Sequence, residues 1–211
     1  MTTTDPSPEQ ILADALESRN ATSAELIRDG RRLRAERGRM AVVQATFDLI
    51  QEGANPTIAE VADRAGISER TVFRYFADRD SLLAAVAAEV FPLVQPMLVV
   101  ERPDADFSTR LRRLLELRIE LLRIGGAFAR SVENNAPHSA LAKDLVALRM
   151  ETLRAQVVDF LEPELSEAGS FALPLIDPLL SHRSVFDLSA EMDDDAILAA
   201  LETGITRILG R

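Results

Sequence analysis

Two arginines one helical turn apart, Arg70 and Arg74, carry the clearest chemistry in this sequence. A guanidinium can donate two parallel hydrogen bonds to O6 and N7 of guanine, a contact that discriminates between bases by about 1–3 kcal/mol. Residues that are four apart lie on one face of a helix, so both side chains reach the same surface. The spacing therefore predicts a helix that presents guanidinium groups to base edges.

Polar and aromatic residues surround the two arginines. Thr71 can reach a phosphate or a thymine methyl group, and Tyr75 offers a hydroxyl to a phosphate. Glu69 can accept a hydrogen bond from cytosine N4, although its carboxylate repels phosphate. Two alternatives stay open here: Phe73 is either buried core or a base contact, and Arg39 is either structural or in contact with a phosphate.

Two short helices joined by a tight turn are predicted to position these side chains. Thr57, with Glu60 three residues later, has the capping-box pattern that starts a helix. Gly66 ends that helix, because glycine adopts the left-handed conformation without steric cost. Ser68 can cap the next helix, whose N-terminus then favours a phosphate. An apolar helix followed by a basic one across such a turn predicts a helix-turn-helix.

Residues 39–86 resemble the DNA-binding domain of TetR-type transcriptional repressors. The resemblance rests on Arg39, Ala45, Phe47, Glu52, Gly53, Thr57, Val61, Ala62, residues 65–68, residues 71–73, Tyr75, Phe76, Asp78, Arg79, Leu82 and Leu83. It implies an all-α fold, with an N-terminal homeodomain-like helix-turn-helix domain of three helices and a C-terminal helical domain for ligand binding and dimerisation. It further implies a repressor that binds double-stranded operator DNA as a homodimer and is released by a small effector.

The positions expected to contact DNA, directly or through a helix cap, are Arg39, Thr57, Ser68, Glu69, Arg70, Thr71, Phe73, Arg74, Tyr75 and Arg79. The resemblance gives Tyr75 a phosphate contact, and it places Arg79 where the family usually has a lysine that touches the DNA backbone. Glu69 and Arg70 depart from the family pattern, which often has a basic or polar residue and a small residue there. We therefore expect an operator unlike those of the best-known members.

The composition also favours an all-helical protein. Apolar residues make up 47% of the 211 residues, cysteine is absent and there are two histidines, so thiolate and His-rich metal sites are excluded. No phosphate-binding glycine loop, nucleophile elbow or metal-ligand cluster is present, so neither an enzyme nor a cofactor is expected. No apolar run approaches the length of a membrane span and no signal peptide is visible, which predicts a cytoplasmic protein without a membrane partner.

The net charge of −10 does not exclude DNA, because the basic residues are concentrated. Six arginines lie between residues 28 and 39, at the end of a predicted N-terminal arm over residues 1–38. The arm is expected to be partly helical, over residues 8–17 and 23–36, with a break or end at Gly30. Three roles stay open for it: a solvated tail, an arginine arm on phosphates or in the minor groove, and a helix on a partner subunit.

The helix-turn-helix domain is predicted over residues 39–90 and the effector-binding and dimerisation domain over residues 91–211. The first domain has helices expected over residues 39–52 and from Asp78 to about residue 90, before Pro92. The second has helices expected from Asp104 or Asp106 to Gly125 and Gly126, around Phe128, over residues 139–161, in broken form over 171–188, and after residues 193–195.

Function in the C-terminal region is predicted from the resemblance and from apolar spacing. The candidate effector contacts are Phe91, Met97, Phe107, Phe128, Asn134, His138, Met150 and Gln156. The candidate dimer contacts are Phe186, Leu198, Leu201, Ile205 and Ile208, most of them on a stripe that is too apolar for a lone surface helix. The alternative function is a non-DNA-binding adaptor or coactivator on the same fold, which would be expected to lose the basic residues of the second short helix.

Overall fold

The computed structural model describes residues 30–211, and within that range the chain is all-α. The helices are α1 (Gly30–Gln51), α2 (Ile58–Ala65), α3 (Glu69–Tyr75), α4 (Arg79–Leu98), α5 (Phe107–Asn135), α6 (Ala140–Leu161), α7 (Glu164–Ala168), α8 (Ala172–Leu179), α9 (His182–Ser189) and α10 (Asp194–Ile208). The predicted all-α fold and its helix-turn-helix are confirmed. The helix predicted over residues 8–17 and the first part of the 23–36 helix lie outside the described range.

The chain forms two compact units. The first contains the described residues up to Pro92 together with Ala127–Leu148, and the second contains Leu93–Gly126 and Arg149–Arg211. The predicted division assigns an arm to residues 1–38, DNA binding to 39–90, and effector binding and dimerisation to 91–211. These functional assignments stay predictions.

Side-chain caps begin the helices where the sequence indicated. Asp106 accepts a hydrogen bond from the Thr109 N–H at 2.8 Å, and Ser139 accepts one from Ala142 at 2.9 Å. Asp193 accepts one from Ala196 at 2.9 Å. These bonds satisfy backbone donors that have no partner inside the helix.

Two predicted helix boundaries are wrong. α1 is already helical at Gly30 and continues through Gly38, so its predicted start at Arg39 is nine residues late. α5 continues through Gly125 and Gly126 to Asn135, where the sequence predicted an end and a separate short helix. A glycine costs a helix about 1 kcal/mol relative to alanine, and tertiary packing outweighs this. A Cβ atom on Gly125 would lie 2.9 Å from Val94 Cγ1, so its neighbour packs directly on the backbone.

The predicted end of α4 before Pro92 is also wrong, because the helix runs through Pro92 and Pro96 to Leu98. Both prolines are exposed, whereas Val94 and Met97 are buried. Burial of the opposite face therefore offsets the hydrogen bonds that proline cannot make.

α4 also corrects the prediction about membrane spans. By length and composition it is one helix among the described residues that is long and apolar enough to cross a membrane. Half of its apolar window is buried inside the protein, as is usual for a core helix.

The second unit has a large apolar core that takes in the final helix. Ile197, Leu201 and Ile205 of α10 are at most 4% exposed and belong to the same cluster as Leu114 and Phe160. The stripe on α10 is therefore used inside its own chain. Leu198, Leu201 and Ile205 are buried inside their own chain, which corrects their assignment to a dimer interface. Ile208 is half-buried beside the same core, and its assignment stays a prediction.

Two arginines lie inside this unit and are held differently. Arg110, 6% exposed, donates to Glu164 Oε1 at 2.6 Å and to the Glu162 carbonyl at 2.9 Å. Arg118, 4% exposed, donates to the Gln156 amide oxygen and to the Leu153 carbonyl, and no carboxylate in the described structure lies within ion-pair distance of it. Burial lowers the pKa of Arg118 to about 10.

These environments predict different costs for the same truncation. Arg110→Met leaves the buried Glu164 carboxylate without its cation and is expected to reduce the free energy of unfolding by about 3–5 kcal/mol. Arg118→Met removes two hydrogen bonds but also a desolvated charge, and is expected to cost less than about 2 kcal/mol. Urea unfolding followed by circular dichroism measures both, and equal losses would contradict this difference.

Candidate nucleic-acid interface

The second helix of the helix-turn-helix, α3, is fixed at both ends by local interactions. Ser68 caps it by accepting a hydrogen bond from the Thr71 N–H at 3.3 Å, and its last turn closes with a bond from Phe76 N–H to the Val72 carbonyl. Before it, Gly66 is left-handed, with φ of 67°, and ends α2. Val72 and Phe76 are buried, which fixes the face of α3 that turns inward.

The opposite face of α3 consists of four exposed residues. Glu69 and Arg70 lie in the first turn, and Phe73 and Arg74 follow four residues later, so all four share one surface. Phe73 is 51% exposed, so the alternative that it belongs to the core is wrong. This face combines two guanidinium groups, one carboxylate and one aromatic ring, and we name it the reading face.

Thr71 and Tyr75 are half-buried and are already engaged by the protein. The Thr71 and Ser68 hydroxyls lie 3.0 Å apart and share a hydrogen bond. The Tyr75 ring packs against the backbone of Gly38 in α1, and the Arg74 guanidinium lies 5.3 Å from the centre of that ring. The Tyr75 hydroxyl, which is predicted to contact a phosphate, lies against α1. The phosphate contact stays a prediction.

The predicted capping box at Thr57 is present. The Thr57 N–H donates to Glu60 Oε2 at 2.7 Å, and the Glu60 N–H donates to the Thr57 hydroxyl at 3.3 Å. The bond from the Thr57 backbone is the main cause that lowers the pKa of Glu60 below 4.5. The Thr57 hydroxyl is thus used to start α2.

Arg39 and Arg79 each contact other residues of the first unit. The Arg39 guanidinium lies 4.9 Å from the centre of the Phe76 ring and 3.9 Å from the Glu36 carboxylate, which supports the structural alternative for Arg39. Arg79 Nη2 donates to the Pro56 carbonyl at 3.3 Å and lies 3.5 Å from Asn135 Oδ1.

Arg79 also lines a cleft of about 100 Å³ in the first unit, together with Asn55, Asn135 and His138. Asn135 Nδ2 donates to Asn55 Oδ1 at 2.9 Å, so the end of α5 is bonded to the loop before α2. Sequence reasoning missed Asn135, because no local pattern shows that it meets residues 80 positions away.

Arginines in this unit divide into paired and outward-facing groups. Arg64 forms a two-pronged bridge with Glu52, at 2.9 and 2.7 Å, which ties α2 to the end of α1 and raises the pKa of Arg64. Arg70 and Arg74 have no such acidic partner among the described residues. The charge of the reading face is therefore available to an external anion.

Comparison with known proteins agrees with this geometry. Residues 42–86 match the family described as "Bacterial regulatory proteins, tetR family". This helix-turn-helix segment is thus of the tetR family type. The matched segment covers the last ten residues of α1, all of α2 and α3, and the start of α4.

Two characterised relatives match the N-terminal half. The HTH-type transcriptional regulator BetI of Stenotrophomonas maltophilia is 31% identical over 96 residues, which are 44% of this chain and 49% of BetI. The HTH-type transcriptional repressor LfrR of Mycolicibacterium smegmatis is 30% identical over 89 residues, 41% of this chain and 46% of LfrR. The chain thus matches about half the length of these relatives. A crystal structure of a TetR transcriptional regulator from Rhodococcus sp. RHA1 is 22% identical, covers 82% of this chain and 96% of that one, and has a TM-score of 0.45.

The effector contacts that the family resemblance implies are not gathered within one unit. Four belong to the first unit and four to the second: Phe91, Phe128, Asn134 and His138, and Met97, Phe107, Met150 and Gln156. Gln156 and Met97 do meet, because Gln156 Nε2 donates to the Met97 carbonyl at 2.9 Å. Met150 is 64% exposed, and Asn134 and His138 are also exposed.

The Arg118–Gln156 contact was missed by the sequence reasoning. A signal for it existed, because Arg110, Leu114 and Arg118 are spaced by four residues and share the buried face of α5.

The Glu60 cap predicts an acid-sensitive component of stability. Its pKa is lower in the folded protein than the ordinary value of 4.5, so the stabilisation is present above pH 4.5 and is lost as the pH falls through the folded-state pKa. Glu60→Gln keeps an acceptor for the Thr57 N–H but does not titrate. Thermal melts between pH 7 and pH 3 should therefore show a smaller loss for Glu60→Gln than for the natural protein, and parallel losses would contradict the assignment.

Proposed function

We propose that this tetR family protein is a transcriptional repressor that binds operator DNA through α3 and acts as a homodimer. The reading face is the observation that carries the proposal. Glu69, Arg70, Phe73 and Arg74 are exposed on a short helix whose other face is buried. Such a helix, held after a tight turn, is suited to the major groove.

The chemistry of the reading face supports sequence-specific binding. Arg70 and Arg74 can each form a bidentate contact with guanine, and the exposed Phe73 ring can pack on a thymine methyl group. An adaptor that does not bind DNA has no use for two outward guanidinium groups that lack acidic partners within residues 30–211, so the DNA-binding function is favoured.

Release by a small effector is part of the proposal and rests on family membership. The second unit is the proposed location, and Met97 and Gln156 are the predicted contacts that the fold brings together there. The effector would then change how much of the operator is occupied by the protein. We propose no enzymatic activity. We propose action in the cytoplasm, where the DNA is.

The dimer contact is proposed on α8 instead of α10. Phe171 and Leu175, four residues apart at the start of α8, are 56% and 52% exposed. Large apolar side chains that share an exposed face often mark a protein interface. Phe186 of α9 is half-buried and keeps its predicted role.

Arg74→Ala tests the reading face. Selection from random double-stranded DNA with the natural protein should enrich a pseudo-palindrome, because a two-fold dimer presents α3 twice. Arg74→Ala should lose preference at one base position in each half-site, a loss of about 1–3 kcal/mol in discrimination. Arg113→Ala, which removes a surface arginine of α5, is the matched control and should enrich the natural sequence. An unchanged preference in Arg74→Ala would assign Arg74 to the DNA backbone.

Leu175→Glu and Leu201→Glu separate the dimer from the core. Leu175→Glu places a charge on an exposed position and should reduce the mass in light scattering from two chains to one, while the helical content is retained. Leu201→Glu buries a carboxylate in the core of the second unit, so it should lower the free energy of unfolding by several kcal/mol. A Leu175→Glu protein that stays dimeric would exclude α8, and a stable Leu201→Glu protein would contradict the core position.

A further inference from the structure

Gly38 lies at the closest approach between α1 and the end of α3. A Cβ atom built on Gly38 would lie 2.9 Å from Tyr75 Cζ and 3.1 Å from Tyr75 Cε2, and closer still to the hydroxyl oxygen. Distances below 3.0 Å do not occur between a real Cβ and its neighbours, so any side chain at residue 38 displaces the ring. The absence of a side chain at Gly38 is therefore what allows Tyr75 to pack on α1.

A second contact beside Gly38 holds the residue after Tyr75. The Arg39 guanidinium lies over the Phe76 ring, 4.9 Å from its centre, and Phe76 is 3% exposed. Consecutive residues of α1 thus meet consecutive residues at the end of α3. Because α3 has only seven residues, these contacts determine where its last turn lies.

Tyr75 in turn supports Arg74. The Arg74 guanidinium lies 5.3 Å from the centre of the Tyr75 ring, within the range of a cation–π interaction. The ring therefore contacts α1 through its hydroxyl end, while the Arg74 guanidinium lies over its face. A displacement of the ring moves the group that reads the DNA, although Gly38 itself lies on another helix.

We propose that Gly38 is a specificity-determining residue that positions Arg74 through the Tyr75 ring. The proposal rests on the proposed DNA-binding function of α3. It assigns Tyr75 a role as a platform in addition to any phosphate contact. It also explains why a glycine stands inside α1, where alanine would be the better helix former.

Gly38→Ala, Tyr75→Leu and their combination test this role by selection from random double-stranded DNA. Gly38→Ala should reduce the preference at the base position that Arg74 reads by about tenfold, since a misplaced bidentate contact loses most of its discrimination. Tyr75→Leu should reduce preference at the same position. In the Tyr75→Leu background, Gly38→Ala should have no further effect at that position, because the ring that it displaces is gone.

Gly204→Ala is the matched control, because Gly204 also lies within a helix and a Cβ there meets no atom within 4 Å. It should enrich the natural sequence. Thermal melting is measured for each variant, and Gly38→Ala is expected to keep the melting temperature within a few degrees. The expected signature is thus altered selectivity in a folded protein.

The outcomes separate this role from the function on which it rests. If the natural protein enriches a sequence and Gly38→Ala enriches the same one with equal preference, the role of Gly38 is overturned alone. If Gly38→Ala reduces the preference as strongly in the Tyr75→Leu background as in the natural protein, the claim that Gly38 acts through the Tyr75 ring is overturned. If the natural protein enriches no sequence, both the proposed function and the role of Gly38 are overturned.

Discussion

Burial of Val72 and Phe76 is the constraint on which the reading face of α3 depends. α3 has seven residues, and a helix of two turns is not stable alone in water. Its form is maintained because these two side chains are 1% and 3% exposed inside the first unit. Their positions on the helix leave Glu69, Arg70, Phe73 and Arg74 on the outside. The core of this unit therefore determines which residues form the reading face.

The sequence predicted the helix-turn-helix well because the caps and the glycine that start and end its helices act through nearby residues. The Thr57–Glu60 capping box, the left-handed Gly66 and the Ser68 cap each act within four residues, and each is present in the structure. No distant contact is needed to specify them. The existence and order of helices α1 to α4 could therefore be predicted from the sequence.

The wrong predictions share a different physical origin. Gly125 and Pro92 each weaken a helix locally, and the sequence was interpreted as if that local cost decided the outcome. The family pattern placed the start of α1 at Arg39, which lies nine residues too late. Val94 packs on Gly125 and Tyr75 packs on Gly38, and these contacts join residues that are 31 and 37 positions apart. The stripe on α10 shows the same limit. Its periodicity indicated that Leu201 and Ile205 are buried, but not whether the partner was the same chain or a second one.

Many acidic residues of this protein lie at helix caps and beside arginines, and this placement matters more than the net charge. The protein carries a net charge of −10, yet many of its acids serve as helix caps or as partners of arginines. Arg64 and Arg110 are neutralised by Glu52 and Glu164, whereas Arg70 and Arg74 are not paired in the described structure. An acidic protein can therefore present a locally cationic surface, because charges separated by more than about 10 Å are largely screened at physiological salt.

The contact between α1 and Tyr75 limits how this surface can be engineered. A recognition segment transplanted as residues 68–76 alone would carry the tyrosine ring into a scaffold with an ordinary side chain at the position of Gly38. The Tyr75 ring could then not pack at this position, and the Arg74 guanidinium that lies over it would be displaced. The transferable module is thus discontinuous in sequence and includes one residue of the preceding helix. Exchange of DNA specificity between such scaffolds requires both pieces together.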